Sequence, residues 1–160
     1  MITNASFKIT FWFRIGSYVK SKRNSLWKPL FLIVAIIYKH YQFKTGIQLY
    51  FDTKVGGGLH FPHFGCQVIN AAAVLGEKVC IYQGVTIGSV RGRSGAPQIG
   101  NNVVIFSGAS IIGDVKIGDK CVVGAGAVVT KDVPSGCVVA GVPAKVVSQR
   151  GEEITKLYIF

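Results

Sequence analysis

The sequence predicts a mainly β protein, a parallel β-helix of six-residue repeats with a short helical region before it. Two observations predict this. Aliphatic residues recur every six positions at Leu75, Ile81, Ile87, Ile99, Ile105, Ile111, Ile117, Val123 and Val129, often with Gly directly after. Before Gly46 the apolar residues instead follow a helical period. A heptad needs period seven and a sandwich strand period two, so neither accounts for the main run.

The elements follow in chain order. Phe7, Phe11, Ile15 and Tyr18 recur at spacings of three and four, with Val19 beside them, and predict a first helix that packs on this face. Polar residues from Ser21 to Asn24 break it. Ser25 is placed to cap a second helix, with Pro29 in its first turn, where a missing N–H costs nothing. That helix runs through Leu30–Tyr38 and stops near Gly46. It is apolar on most sides and needs burial against the body, a partner subunit or lipid.

From Gly46 onward, each hexapeptide makes one short strand and one turn, and three close a triangular coil. A second small or branched residue falls four positions after many of the first, as at Val79, Val85, Val103, Ala109, Cys121 and Ala127. Stacked coils fill a narrow prism with these side chains, while Gly supplies the positive φ of the corners. Two interruptions stand out. A surplus of two residues is expected between Gln67 and Val74, and the stretch GSVRGRSGAPQ from Gly88 to Gln98 reads as a loop carrying Arg91 and Arg93. The expected division is a helical region over 1–46, the β-helix over 47–147 and a tail over 148–160.

Composition bounds the function. Of 160 residues 49% are hydrophobic and 16% charged, which supplies a core and excludes global disorder. The net charge of +11 is concentrated early: through Tyr50 there are eight basic residues and no acidic one. Such a segment suits an anionic membrane or an acidic glycan. Nucleic acid ranks last, because no helix-turn-helix, RNP or zinc-finger pattern accompanies it. Arg14 interrupts the early apolar run, which argues against a secretory leader. The uncharged stretch Pro29–Tyr38 is about half of the ~20 residues a spanning helix needs. Cys66, Cys80, Cys121 and Cys137 lack CxxC spacing and read as mostly buried thiols in a reducing cytosol. No metal site is expected, since His40, His60 and His63 are the only histidines and only two lie in the repeat.

The residues VGGGLHFPHFG from Val55 to Gly65, QGVTIG from Gln83 to Gly88, GAGAVV from Gly124 to Val129 and AGVPAK from Ala140 to Lys145 resemble the serine acetyltransferase family of hexapeptide-repeat enzymes. The resemblance runs from about Gly46 to Val147 and is nearest the serine acetyltransferase-like O-acetyltransferases of surface-polysaccharide gene clusters. It implies a left-handed coil, acetyl-CoA as cosubstrate without a metal, and homotrimers or dimers of trimers with the site between subunits. His63 matches the catalytic histidine, a general base for the acceptor hydroxyl. The resemblance further implies that Ser107, Gly108, Ala125 and Gly126 line the pantetheine path, with Lys131 and Lys145 toward the CoA phosphates. His60, Gln48, Arg91 and Arg93 are candidate acceptor contacts.

Two positions depart from the family. Gln48 stands where an aspartate orients the histidine, and Ala96 stands where a loop histidine helps bind serine. On that ground the expected acceptor is a sugar hydroxyl in surface-polysaccharide synthesis, with catalysis in the cytoplasm, peripherally at the membrane's inner face. The alternatives are serine O-acetylation for cysteine synthesis and a non-catalytic β-helix scaffold.

Overall fold

The structure is a computed structural model that describes residues 5–22 and 25–159. Three sheets form the walls of a parallel β-helix of about five turns. The first wall stacks β1 (Ile47–Leu49), β3 (Gln67–Ile69), β6 (Thr86–Gly88), β9 (Ser110–Ile112) and β12 (Val128–Val129). The second stacks β2 (Lys54–Val55), β4 (Val74–Leu75), β7 (Gln98–Ile99) and β10 (Lys116–Ile117). The third stacks β5 (Cys80–Ile81), β8 (Val104–Ile105), β11 (Val122–Val123) and β13 (Val138–Ala140), and β14 (Lys145–Ser148) closes its open edge antiparallel to β13.

Register explains the period of six. Ile69 pairs with Ile87 and Ile87 with Ile111, Leu75 with Ile99, and Ile81 with Ile105. Like therefore stacks on like, and these side chains are at most 3% exposed. Burying each contributes on the order of 2 kcal/mol.

The two surplus residues lie earlier than the sequence reading placed them. Ile69 to Leu75 is six residues, the regular step. His60 bridges Cys80, so Phe61 stands in register with Ile81, and Phe61 to Ile69 is eight residues where Ile81 to Ile87 is six. The corner between the third and first walls is thus enlarged in one coil only, over Pro62–Cys66. Aliphatic spacing alone could not place it, because Phe61 is an aromatic occupant of the aliphatic column.

Two helices precede the coil. Helix α1 (Ala5–Ser21) buries Ile9, Phe13 and Val19, and leaves Phe7, Phe11 and Tyr18 exposed. Of the expected packing face, Phe7, Phe11 and Tyr18 therefore point outward, while Val19 is buried and Ile15 half-buried. Both faces of α1 are apolar, and Gly16 decides between them: its bare Cα lies against the Phe51 ring, where any Cβ would collide. Phe13 is consequently core and Trp12 half-buried.

A turn of 3-10 helix at Ser25–Trp27 leads into α2 (Lys28–Thr45), so Trp27 rather than Ser25 is its N-cap. Pro29 lies in the first turn and Gly46 closes the helix at φ 69°. Tyr38 Oη and Gln42 Nε2 both donate to the Leu49 carbonyl, at 2.7 and 2.9 Å, and fasten α2 to the first coil. At the other end α3 (Gly151–Thr155) and residues 156–159 fold over the outer side of the third wall, with Ile154, Tyr158 and Ile159 against Cys80, Val104 and Val122.

Candidate active site

The enlarged corner carries His63 outward on the coil surface. One buried side chain shapes it. Gln67, 0% exposed, donates from Nε2 to the His63 carbonyl at 2.7 Å, and its Oε1 accepts the Gly65 N–H at 3.0 Å. Gly65 and Cys66 take positive φ, 131° and 57°, to complete the turn. Gln67 was not singled out from the sequence, yet a signal existed. It occupies the inward column that Val85, Ala109 and Ala127 fill in later coils, the one polar residue there.

Below His63 the same corner repeats coil by coil. Gly84 N–H donates to the Gly65 carbonyl, Gly108 N–H to Gln83 and Gly126 N–H to Ser107. Gly84, Gly108 and Gly126 hold φ of 71°, 69° and 65°, which side chains strongly disfavour. A Cβ on Gly126 would meet nothing within 4 Å, and one on Gly108 only a backbone nitrogen at 4.0 Å. The corner is therefore a bare backbone strip running down from His63. Ser107, Gly108, Ala125 and Gly126, the residues expected to line the pantetheine path, all lie on it.

An aromatic wall flanks the strip. The His63 and Tyr82 ring centroids are 5.9 Å apart, Tyr82 and Phe106 5.1 Å, and Tyr158 packs edge-on to Phe106 at 5.1 Å. Burial raises the Tyr82 phenol above its ordinary pKa, with Cys80 and Tyr158 adding to the shift, so it stays protonated at neutral pH. Neither tyrosine was picked out from the sequence. Tyr158 lies far along the chain and arrives only because α3 folds back.

The remaining candidates are not gathered here. Gln48 is exposed on β1 and makes no hydrogen bond to His63. It borders a cavity of about 260 Å³ with Lys39, Gln42 and Phe43. His60 faces out from the third wall, in a cavity of about 250 Å³ with Lys78, Cys80 and Tyr158, and burial lowers its pKa. Arg91 and Arg93 are exposed on the loop between β6 and β7, at the corner joining the first and second walls. Lys131 follows β12 toward that same corner, while Lys145 begins β14 beside Ala140. Ala96, which sequence aligns with the family's loop histidine, is buried, 7% exposed, where the loop returns to β7. Among the described residues no three His, Cys, Asp or Glu side chains converge as a metal site would require.

Comparison with known proteins finds the same fold. The bacterial transferase hexapeptide family (six repeats) matches residues 96–131, so the chain carries that repeat. It is 38% identical over 115 residues to a serine acetyltransferase of Synechococcus elongatus, covering 71% of this chain and 47% of that protein. Soybean serine acetyltransferase complexed with serine superposes with TM-score 0.79 at 28% identity, over 91% of this chain and 58% of that one. Brucella abortus serine acetyltransferase in complex with coenzyme A gives TM-score 0.79 at 27% identity, over 90% and 56%. The chain thus spans about half the length of the relatives it matches. These neighbours correct one expectation from sequence. The polysaccharide reading rested on a nearer resemblance to surface-polysaccharide O-acetyltransferases and on Gln48 and Ala96, whereas the similar proteins are serine acetyltransferases. Two substituted positions do not outweigh likeness over most of the chain.

Proposed function

We propose that this hexapeptide-repeat β-helix is an acetyl-CoA-dependent O-acetyltransferase acting on the hydroxyl of serine. The observation that carries it is the bare glycine strip leading to a clamped, solvent-facing His63. Imidazole suits the task because its pKa lies near working pH, and a hydroxyl is a poor nucleophile without a base. His63 accepts the hydroxyl proton as that oxygen attacks the thioester carbonyl. The tetrahedral intermediate then collapses, the C–S bond breaks, and the CoA sulfur leaves with the proton returned by the imidazolium. The N–H groups of Gly84, Gly108 and Gly126 are already given to the neighbouring coil, so the transient oxyanion would take another backbone N–H near the strip.

The working unit is a homotrimer or a pair of trimers in the cytoplasm. Its support is spatial: His63 and the loop of Arg91 and Arg93 lie at different corners of the β-helix and in different coils, so a neighbouring subunit would have to bring such a loop to the base. A guanidinium from that loop would then pair with the serine carboxylate. Lys131 and Lys145 remain candidates for the CoA phosphates, and Gln67 holds the backbone that presents His63.

Release of CoA thiol with L-serine, against a panel of other hydroxyl acceptors and none, tests the reading. Serine should be turned over well above every other acceptor. Turnover of none of them, by folded protein that still binds acetyl-CoA, would contradict it.

A further inference from the structure

We infer that the outer face of α2 docks the protein on an anionic lipid surface. The inner face of this helix, with Val34 and Tyr38, is fastened to the first coil. Its outer face is not covered by any described residue: Leu32 is 62% exposed, Ile33 57%, Ile36 62% and Phe43 78%. At 3.6 residues per turn, Leu32, Ile36 and Phe43 fall within about 40° of one another and form a single row along the helix. Lys28 and Lys39 lie on one side of that row, and His40 and Lys44 on the other. Beside it a groove of about 400 Å³ opens among Ile36, Tyr38, Lys39, Leu49, Tyr50 and Phe51.

Charge selects the occupant. No acidic residue occurs through Tyr50. Two of the segment's cations are engaged by the fold: Lys20 pairs with Asp52 at 2.6 Å, and Arg14 donates to the Val55 and Gly56 carbonyls. Lys28, Lys39 and Lys44, which border the apolar row, form no ion pair with a described carboxylate. Lys39 Nζ lies 4.9 Å from the Phe43 ring centroid, so the ring can enter an apolar layer while the ammonium stays at its polar edge. A second copy meeting this face symmetrically would set lysines against lysines. A lipid surface of negative headgroups satisfies both the row and its borders.

The geometry is that of a helix lying in the interface. No helix among the described residues is long and apolar enough to cross a membrane. Anionic lipid attracts lysines held near its surface, in addition to burial of the apolar row.

Co-sedimentation of the full chain with phosphatidylcholine vesicles, with and without phosphatidylserine, tests this at low and high salt. It needs no acceptor and no turnover, so its result is separate from that of the acetyl-transfer assay. The bound fraction should rise about ten-fold or more with phosphatidylserine and fall in high salt. Phe43→Asp and the pair Lys39→Glu with Lys44→Glu should each abolish the gain. These positions are exposed, and circular dichroism verifies that the variants fold. Equal or negligible binding to both vesicle types would overturn the inference, as would undiminished binding by the variants. A stable oligomer that dissociates on Phe43→Asp, without vesicle binding in either form, would also overturn it and assign the face to a second copy.

Discussion

The buried Gln67 side chain joins the two ends of the turn that presents His63, donating to the His63 carbonyl at 2.7 Å and accepting the Gly65 N–H at 3.0 Å. Water cannot replace these bonds easily, because Gln67 is 0% exposed. Gln67→Leu keeps the volume approximately and leaves the half-buried Gly65 N–H and the His63 carbonyl without their partner. The expected cost is about 1–3 kcal/mol of stability. Calorimetry should show a lowered Tm, and kcat should fall about ten-fold with KM for acetyl-CoA unchanged. A variant that loses stability but keeps full kcat would separate the clamp from catalysis.

The cysteines differ in exposure and therefore in reactivity. Cys66 is exposed on the His63 corner, while Cys80, Cys121 and Cys137 are buried. Burial pushes the Cys80 thiol up to about 12 and raises that of Cys121. Native protein treated briefly with iodoacetamide should carry one adduct, on Cys66, by peptide mass spectrometry. Equal labelling of Cys80 would contradict the packing of the C-terminal segment over the third wall.

Much of this was legible in sequence, for physical reasons. Like residues stack in a coil, so the period of six that sets Ile81 over Ile105 is written directly in the chain. Gly46 ends α2 as its backbone freedom suggests. The packing face of α1 was not legible, because Phe7–Phe11–Tyr18 and Ile9–Phe13–Gly16 are both apolar rows, and only the contact of Gly16 with Phe51 chooses one. His63 was recognisable from its motif, whereas Gln67 and Tyr158 depend on an inward-facing register and a folded-back tail. Positions 48 and 96 point away from serine, whereas the coil as a whole is similar to serine acetyltransferases.

His60 predicts a pH effect on stability. Burial lowers its pKa from the ordinary value, so protonation is less favourable folded than unfolded. Its neutral form therefore supports the fold fully above the unfolded value of about 6.5, and that support is lost as pH falls below it. His60→Gln should flatten the decline in Tm between about pH 7 and pH 5. An unchanged slope would show that His60 is as solvated folded as unfolded.

Gly16 predicts a steric cost. A methyl group there meets the Phe51 ring, which also packs on Tyr38 at 4.6 Å between centroids. Gly16→Ala gains helix propensity but should still destabilise by about 1–3 kcal/mol through overpacking. Urea unfolding checks the sign: a more stable variant would mean that α1 packs through its other face.

The central claim is that His63 is the base for acetyl transfer from acetyl-CoA to serine. Its most direct measurement is the rate of CoA thiol release with L-serine, by wild type and His63→Ala, each with its circular dichroism spectrum. Wild type should show measurable serine-dependent turnover, with a loss of about two to four orders of magnitude in the folded variant. Near-normal turnover by a folded His63→Ala protein would contradict it.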